Sequence, residues 1–170
     1  MLIISGNKNQ GKTIQIKRFV VLLQNSNTSF SGFYSEKIIN DATVVGYDIV
    51  SLPKKEKYKF LRTVGNENQQ KIGSFYIDDF ALAEGVIQIK KAIINQLDFL
   101  IIDEVGKLEL NNKGWCAVLE SVFADFKGEI IMTVRTEFVE KVIQKWNLKS
   151  VQVIGTTEAV FKAYISDKSI

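Results

Sequence analysis

One short stretch constrains this chain more than anything else in it. Gly6-Asn7-Lys8-Asn9-Gln10-Gly11-Lys12-Thr13 fits the pattern G-x-x-x-x-G-K-[ST]. It follows an apolar run, Leu2 to Ser5, and it precedes Ile16, Phe19, Val20 and Leu23, which recur at helical spacing. A strand turning through a glycine-rich loop into a helix is the context in which this pattern binds phosphate. The two glycines let the backbone turn tightly and present N–H groups, and the helix start adds the positive end of its dipole. The Lys12 ammonium can reach β- and γ-phosphates, and the Thr13 hydroxyl can bind Mg²⁺.

The rest of the chain repeats that strand-and-helix alternation. Phe80 to Gln96 carries Leu82, Val86, Ile89 and Ile93 on one face, and Trp115 to Phe126 is strongly amphipathic. Phe138, Val142, Ile143 and Trp146 mark another helix, and Thr156 or Thr157 can cap a last one through Tyr164, with Glu158 near its positive end. Phe99 to Ile102, Glu129 to Val134 and Val151 to Ile154 read as short buried strands. The expectation is an α/β domain spanning 1–170, a mostly parallel sheet with helices on both faces. Phe33 to Ile39 and Val44 to Val50, around Asn40-Asp41, read as a hairpin, and Tyr58 to Val64 as a further strand. Residues 32 to 64 therefore look like a β-rich hairpin insert on that plan.

The strand Phe99-Leu100-Ile101-Ile102 ends in Asp103-Glu104. In a parallel sheet ligands gather at the carboxyl ends of strands, so Asp103 is expected beside the phosphate loop as a Mg²⁺ ligand with Thr13. Glu104 is expected to orient the attacking water or accept its proton. Phosphoryl transfer also calls for a cation near the γ-phosphate, for which Arg135, at a strand end, and Lys107, just after the acidic pair, are the candidates. Asp98 precedes the apolar run and reads as structural. Glu36, Tyr34 and Tyr47 lie in the hairpin region and fit either the nucleotide or packing. Glu109 fits a pair with Lys107 or a solvated position, and Trp115 and Phe123 read as core.

Composition removes other chemistries. The chain has no histidine and one cysteine, so Ser-His and Cys-His nucleophile pairs, histidine metal ligands and an internal disulfide are all excluded. Cys116 reads as inert packing. Met1 to Gly6 lacks the basic and long apolar regions of a signal peptide, and no apolar run is long enough for a bilayer. A soluble cytoplasmic protein is expected. Lys54-Lys55-Glu56-Lys57 is the densest basic cluster and reads as a solvated loop, so nucleic acid is not indicated as a partner.

Taken in order, the phosphate loop, Gly32-Phe33-Tyr34-Ser35-Glu36, Val45-Gly46-Tyr47-Asp48-Ile49-Val50 and Ile101-Ile102-Asp103-Glu104-Val105-Gly106-Lys107-Leu108-Glu109-Leu110 resemble a family pattern close to GFY-x-x-E, GFDIV and IIDEIGKMEL. That pattern belongs to the small P-loop nucleoside-triphosphatases of the THEP type, and the match covers roughly residues 1 to 110 well and the remainder loosely. The resemblance implies a RecA-like P-loop NTPase fold and Mg²⁺-dependent hydrolysis of ATP, GTP, CTP and UTP to diphosphate and phosphate. It carries nucleotide contacts onto residues 6 to 13 and the segment near 100 to 107, and it implies that the strand Glu129 to Val134 lies between the phosphate-loop strand and the Asp103 strand. The chain departs from the family where Asn7-Lys8-Asn9-Gln10 fills a loop that usually holds an internal Gly or Pro, and where Val134-Arg135-Thr136 follows the third strand in place of Pro or His. Asp103-Glu104-Val105-Gly106 satisfies the D-x-x-G of GTPase switches, but no Asn-Lys-x-Asp follows a later strand, so exclusive use of GTP has no support. Two other uses of the same loop remain open, a kinase of a nucleoside, nucleotide or small metabolite, and a nucleotide-gated binding module.

Overall fold

Alternate residues of the buried strands turn to opposite sides of the sheet, and the two sets of side chains build two cores. A computed structural model describes residues 1–157, so the helix expected from Thr156 or Thr157 onward lies outside the described residues. The first strand, β1 (Leu2–Ser5), runs through the phosphate loop into α1 (Lys12–Asn25). Then follow β2 (Phe30–Asn40), β3 (Thr43–Leu52), β4 (Lys57–Arg62), β5 (Lys71–Ile72), β6 (Phe75–Ile77) and α2 (Asp79–Ile94). The second half holds β7 (Phe99–Val105), α3 (Lys107–Leu110), α4 (Cys116–Asp125), β8 (Glu129–Val134), a 3-10 turn (Thr136–Phe138), α5 (Val139–Lys145) and β9 (Gln152–Ile154).

These strands form one sheet in the order β5-β6-β4-β3-β2-β7-β8-β1-β9. Leu2 and Ile4 of β1, Phe99 and Ile101 of β7 and Ile131 of β8 face α1, packing on Ile16, Phe19, Val20 and Leu23. Ile3, Leu100, Ile102, Ile130 and Met132 face the other way, onto Ala81, Ile89 and Ala92 of α2, Val118, Leu119 and Val122 of α4, and Val142 of α5. Strands buried on both faces need apolar residues at every position, which is why Phe99 to Ile102 shows no alternation. The β8 strand lies between β1 and β7 and pairs parallel with both, as the resemblance implies.

The hairpin region is continuous with this sheet. Phe30 to Phe33 of β2 pair parallel with Phe99 to Ile102, and from Gly32 onward β2 also pairs antiparallel with β3. The strand then outruns its parallel neighbour and carries β3, β4, β6 and β5 as an antiparallel arm. Asp41 and Ala42, with φ of 45° and 60°, make the tight turn between β2 and β3, the left-handed pair whose twist suits a two-residue hairpin loop. The short β5 and β6 are too brief to show any period in the sequence.

Gly32 is where parallel core and antiparallel arm meet on one strand. Its φ is 126°, and a Cβ there would run into the backbone carbonyl of Ile101 on β7. Backbone on a paired central strand cannot give way as a flexible side chain can. Gly32→Ala is therefore expected to cost about 3 kcal/mol or more of unfolding free energy, read as a lowered urea midpoint; a change below about 0.5 kcal/mol would contradict this account.

Candidate active site

The phosphate loop closes on itself and leaves a helix end uncompensated. Gly11 caps α1 in the left-handed region at φ 87°, and the helix has neither a side-chain cap nor an acidic residue in its first turn. Its N–H groups and positive dipole end thus await an anion. Asn9 is also left-handed, at φ 65°. Gln10 N–H donates to the Asn7 carbonyl at 3.3 Å, and Asn7 N–H donates to Gln10 Oε1 at 2.6 Å. These two bonds set the shape of a loop that lacks an internal Gly or Pro. Lys12, almost wholly buried, donates from Nζ to the Asn7 carbonyl at 3.1 Å and lies 3.6 Å from Glu104 Oε1.

Asp103 and Glu104, adjacent in sequence, are sent in different directions by a bulge. In the β7–β8 register Ile102 faces Met132 and Val105 faces Val134, so two residues of β7 oppose Thr133 alone. Glu104 takes φ 65° there. Asp103 stays fully buried, and its carboxylate accepts from three elements: Thr13 Oγ1 of α1 at 2.8 Å, Ser35 N–H of β2 at 3.0 Å and Thr133 Oγ1 of β8 at 2.6 Å. Burial pushes the Asp103 carboxyl pKa up, the Glu104 charge adds to this, and the Thr133, Ser35 and Thr13 hydrogen bonds oppose it. Glu104 N–H donates to Thr133 Oγ1 at 2.7 Å, while its carboxylate turns into the open, between Lys12 and Arg135 Nε, which is 3.8 Å from Oε2. The Arg135 pair, long and exposed on both sides, contributes at most about 1 kcal/mol, and the Lys12 pair, at 3.6 Å, lies beyond hydrogen-bond distance. They orient Glu104 and do little for stability.

A cleft of about 730 Å³ opens beside these groups, between the phosphate loop and the antiparallel arm, and Arg135 and Lys107 both line it. Lys107 opens α3, and among the described residues its ammonium reaches no carboxylate. Glu36 also lines the cleft, held by Lys17 at 2.7 Å and Lys57 at 2.5 Å; the Lys17 hydrogen bond first, then that of Lys57, pulls its pKa down. Lys37 Nζ donates to Asn9 Oδ1 at 2.7 Å and ties β2 to the phosphate loop. Tyr34 belongs to the core under α1, whereas Tyr47 is half-buried and lines the cleft. Arg62 is bound to Asp48 at 2.5 Å. Asp98, at the far end of β7, accepts from Ser29 N–H and Oγ at 2.7 Å and ties two chain segments together. Trp115 stacks on Phe60 in the core at 5.2 Å, Phe123 packs on Trp146, and Cys116 is buried.

Glu109 matches neither expectation: among the described residues it pairs with no lysine, and it is not solvated. It is 1% exposed and accepts from Gly106 N–H at 3.0 Å and Trp115 N–H at 3.3 Å. Burial pushes its pKa up to about 7, against the opposing pull of those backbone hydrogen bonds. Glu109 is the third residue of α3 and reaches back to the N–H of the N-cap, Gly106, at capping-box spacing, while the segment after α3 brings the Trp115 N–H to its other oxygen. Thr133 was hidden, although one hydroxyl inside Glu129-Ile130-Ile131-Met132-Thr133-Val134 is a polar residue where burial penalises one. Ser35, whose backbone is the contacting group, left no side-chain signal at all.

A strand, a glycine loop, a helix start with an unanswered dipole and two carboxylates on a strand two places away define a P-loop nucleotide-binding protein. The family model described as NTPase matches residues 1–161. The nucleoside-triphosphatase THEP1 of Thermotoga sp. (strain RQ2) is 32% identical over 145 residues, 83% of this chain and 79% of that protein. The THEP1 of Natranaerobius thermophilus is 30% identical over 123 residues, 72% of this chain and 68% of its own length. Two solved structures share the fold, each at 21% identity and a TM-score of 0.75: the crystal structure of THEP1 from Aquifex aeolicus, covering 100% of this chain and 97% of that one, and the solution structure of a human cancer-related nucleoside triphosphatase, covering 99% and 94%. The chain belongs to this NTPase family.

The raised Glu109 pKa has a consequence for stability. Below pH 4.5 the carboxyl is protonated in the folded and unfolded chain alike, and it favours the fold. Between 4.5 and about 7 the unfolded chain gives up this proton while the fold retains it, so stability falls as pH rises through that window and levels off above it. The shift is worth at most roughly 3 kcal/mol. Glu109→Gln should flatten the slope of unfolding free energy against pH between about 5 and 7, whatever its effect on absolute stability. An unchanged slope would mean that this carboxyl does not titrate there.

Proposed function

We propose that the protein is a Mg²⁺-dependent nucleoside-triphosphate phosphohydrolase, acting on ATP, GTP, CTP and UTP with water as acceptor. The observation that carries this reading is Glu104. Its left-handed backbone at the bulge aims a carboxylate at Lys12, away from the buried Asp103. The loop backbone and Lys12 bind the β- and γ-phosphates, replacing the Asn7 carbonyl as the partner of Nζ. Glu104 orients the attacking water and takes its proton. Arg135 is the cation that shares the γ-phosphate charge, since it already lies across Glu104 from Lys12; Lys107 lines the same cleft and is the second candidate.

Thr13 and Asp103 would hold the metal. Their oxygens are the hard donors Mg²⁺ takes, and Asp103 is a buried carboxylate whose hydrogen-bond partners are all neutral. Among the described residues no cluster of three or more His, Cys, Asp or Glu could cage an ion, which suits an ion held by one or two protein groups, substrate phosphates and water. When bound, Mg²⁺ neutralises charge on the β- and γ-phosphate oxygens. Broad base selectivity is supported by the hollow on the other side of the loop, about 650 Å³, where Ser5, Gly6, Thr136 and Val153 to Thr157 provide small and aliphatic groups, with Gln10 the one amide. No described helix is long and apolar enough to cross a membrane, and the single buried thiol suits a reducing cytoplasm.

Phosphate release from the four nucleotides, with and without Mg²⁺, tests this reading. Release is expected from all four only with the metal. Glu104→Gln should leave nucleotide binding intact and lower turnover by roughly a hundredfold, whereas Lys12→Ala should abolish both. Unaltered turnover in the Glu104 variant would remove that residue from the mechanism.

Thr133 supports the same site from behind. Thr133→Val strips Asp103 of one donor and leaves the Glu104 N–H unpaired, at about 1–3 kcal/mol of stability. Turnover should fall at least about tenfold, as expected when a positioned base is misplaced, and Thr133→Ser should restore it. Equal activity in the Val and Ser variants would show that the hydroxyl does not position the carboxylates.

A further inference from the structure

We propose that the arm side of the cleft is a second-substrate site for a small, neutral aromatic alcohol, whose hydroxyl takes the γ-phosphoryl group in place of water. This inference rests on the reading of Lys12 and Glu104 as the γ-phosphate end.

Hydrolysis needs room for a terminal phosphate and one water, whose share of liquid volume is about 30 Å³. The cleft measures about 730 Å³, the size of a small-molecule pocket. Its two sides differ in chemistry. The loop side carries Lys8 and four cations that are already engaged: Lys12 to the Asn7 carbonyl, Lys17 to Glu36, Lys37 to Asn9 and Arg135 to Glu104. The other side is apolar, with Tyr47, Phe60, Ile72 and Phe75 from the arm and Trp115 and Phe138 opposite. Tyr47 and Phe75 meet edge to face at 5.6 Å and are only half-buried. They leave an aromatic surface uncovered a short way from a charged reaction centre, which a flat ligand would cover.

Tyr47 also fixes where that surface lies. After burial, the next causes that shift its hydroxyl pKa are the charges of Glu104, upward, and Arg135, downward. The Tyr47 ring therefore stands within electrostatic reach of the carboxylate that receives the proton. A ligand on Tyr47 and Phe75 would present its hydroxyl to Glu104.

The charge pattern selects the acceptor. A phosphorylated second substrate calls for an arginine clamp. The chain's arginines are Arg18, Arg62 and Arg135. Arg18 does not line the cleft, Arg62 is held by Asp48 and the Tyr47 and Leu61 carbonyls, and Arg135 faces Glu104. Lys8 and Lys107 line the cleft as well, but neither offers the two-pronged clamp of an arginine, so the aromatic side suits an uncharged molecule.

The transfer balances. The acceptor oxygen forms a bond to the γ-phosphorus, and its proton passes to Glu104. The bond from that phosphorus to the β–γ bridging oxygen breaks, and the nucleoside diphosphate leaves with the electron pair. The products are a phosphomonoester and a nucleoside diphosphate, and Glu104 returns the proton to solvent. Without an acceptor, water occupies the same position and hydrolysis results.

The test incubates the whole protein with ATP and Mg²⁺ in the presence of benzyl alcohol or pyridylmethanol at roughly 50 mM, well above the millimolar affinity expected of fragments this small. Phosphorus NMR then measures the ratio of phosphomonoester to free phosphate. With an aromatic alcohol the ester should form in amounts comparable to free phosphate, while ethanol at the same concentration should give almost none. In Phe75→Ala and Tyr47→Ala the ratio should fall about tenfold; being a ratio, it does not depend on how much of the variant folds. ATP cleaved to ADP and phosphate alone with both aromatic alcohols would overturn the proposal and leave the hydrolase reading standing. So would equal ester from ethanol, or a ratio unmoved in both variants. No cleavage of ATP under any condition would overturn both readings.

Discussion

One buried carboxylate holds the site together. Asp103 has no exposed surface, and burying an acidic group without partners costs several kcal/mol. Its three donors come from α1, β2 and β8. Each of those elements is fixed by its own apolar contacts, so the core determines where Thr13, Ser35 and Thr133 stand, and they determine whether Asp103 can be tolerated. The dependence runs the other way as well. Without the carboxylate, the Ser35 N–H and the hydroxyl protons of Thr13 and Thr133 would lose their acceptor. The register of β8 between β1 and β7 is thus coupled to the chemistry at their carboxyl ends.

The readable parts of the sequence were those governed by local rules. Gly6 to Thr13 needs only a turn, a helix start and an ammonium, and every one of these is encoded within a few residues. Helices α1, α2, α4 and α5 were legible from period alone, α1 through Ile16, Phe19, Val20 and Leu23 most plainly, whereas the four residues of α3 are too few to show a period. Strand order was not local, and only the resemblance to a known family placed Glu129 to Val134 between its neighbours. The hairpin of β2 and β3 was legible, but its continuity with the parallel core was not, because Phe30 to Phe33 pair with β7 across a long separation in sequence.

Other features were hidden for a different physical reason. The identity of Glu104 as an exposed residue and Asp103 as a buried one depends on a bulge, which arises from the mismatch of β7 and β8 and not from either sequence alone. Glu109 looked like a surface partner for Lys107 because helical neighbours of opposite charge commonly pair. The backbone N–H groups of Gly106 and Trp115 claimed it instead. The Gly106 bond has capping-box spacing, but the Trp115 N–H that completes the site carries no sequence signature, so the burial of this carboxylate shows only once the fold is known.

The magnitudes at Glu104 decide what keeps it in place. A non-glycine residue held in the left-handed region costs about 1–3 kcal/mol. The contacts of its side chain with Lys12 and Arg135 are long, at 3.6 and 3.8 Å, and its carboxylate is 41% exposed, so neither returns more than about 1 kcal/mol. They are too weak to hold the backbone there. The Glu104 N–H bond to Thr133 and the flanking register from Ile102 to Val105, whose residues are buried in the core, supply the remainder. The carboxylate is therefore positioned by the sheet behind it, and its two cations are free to exchange it for a phosphate without releasing the strain. A base fixed by its backbone and only lightly engaged through its charge suits a site where the anionic group must arrive, react and leave.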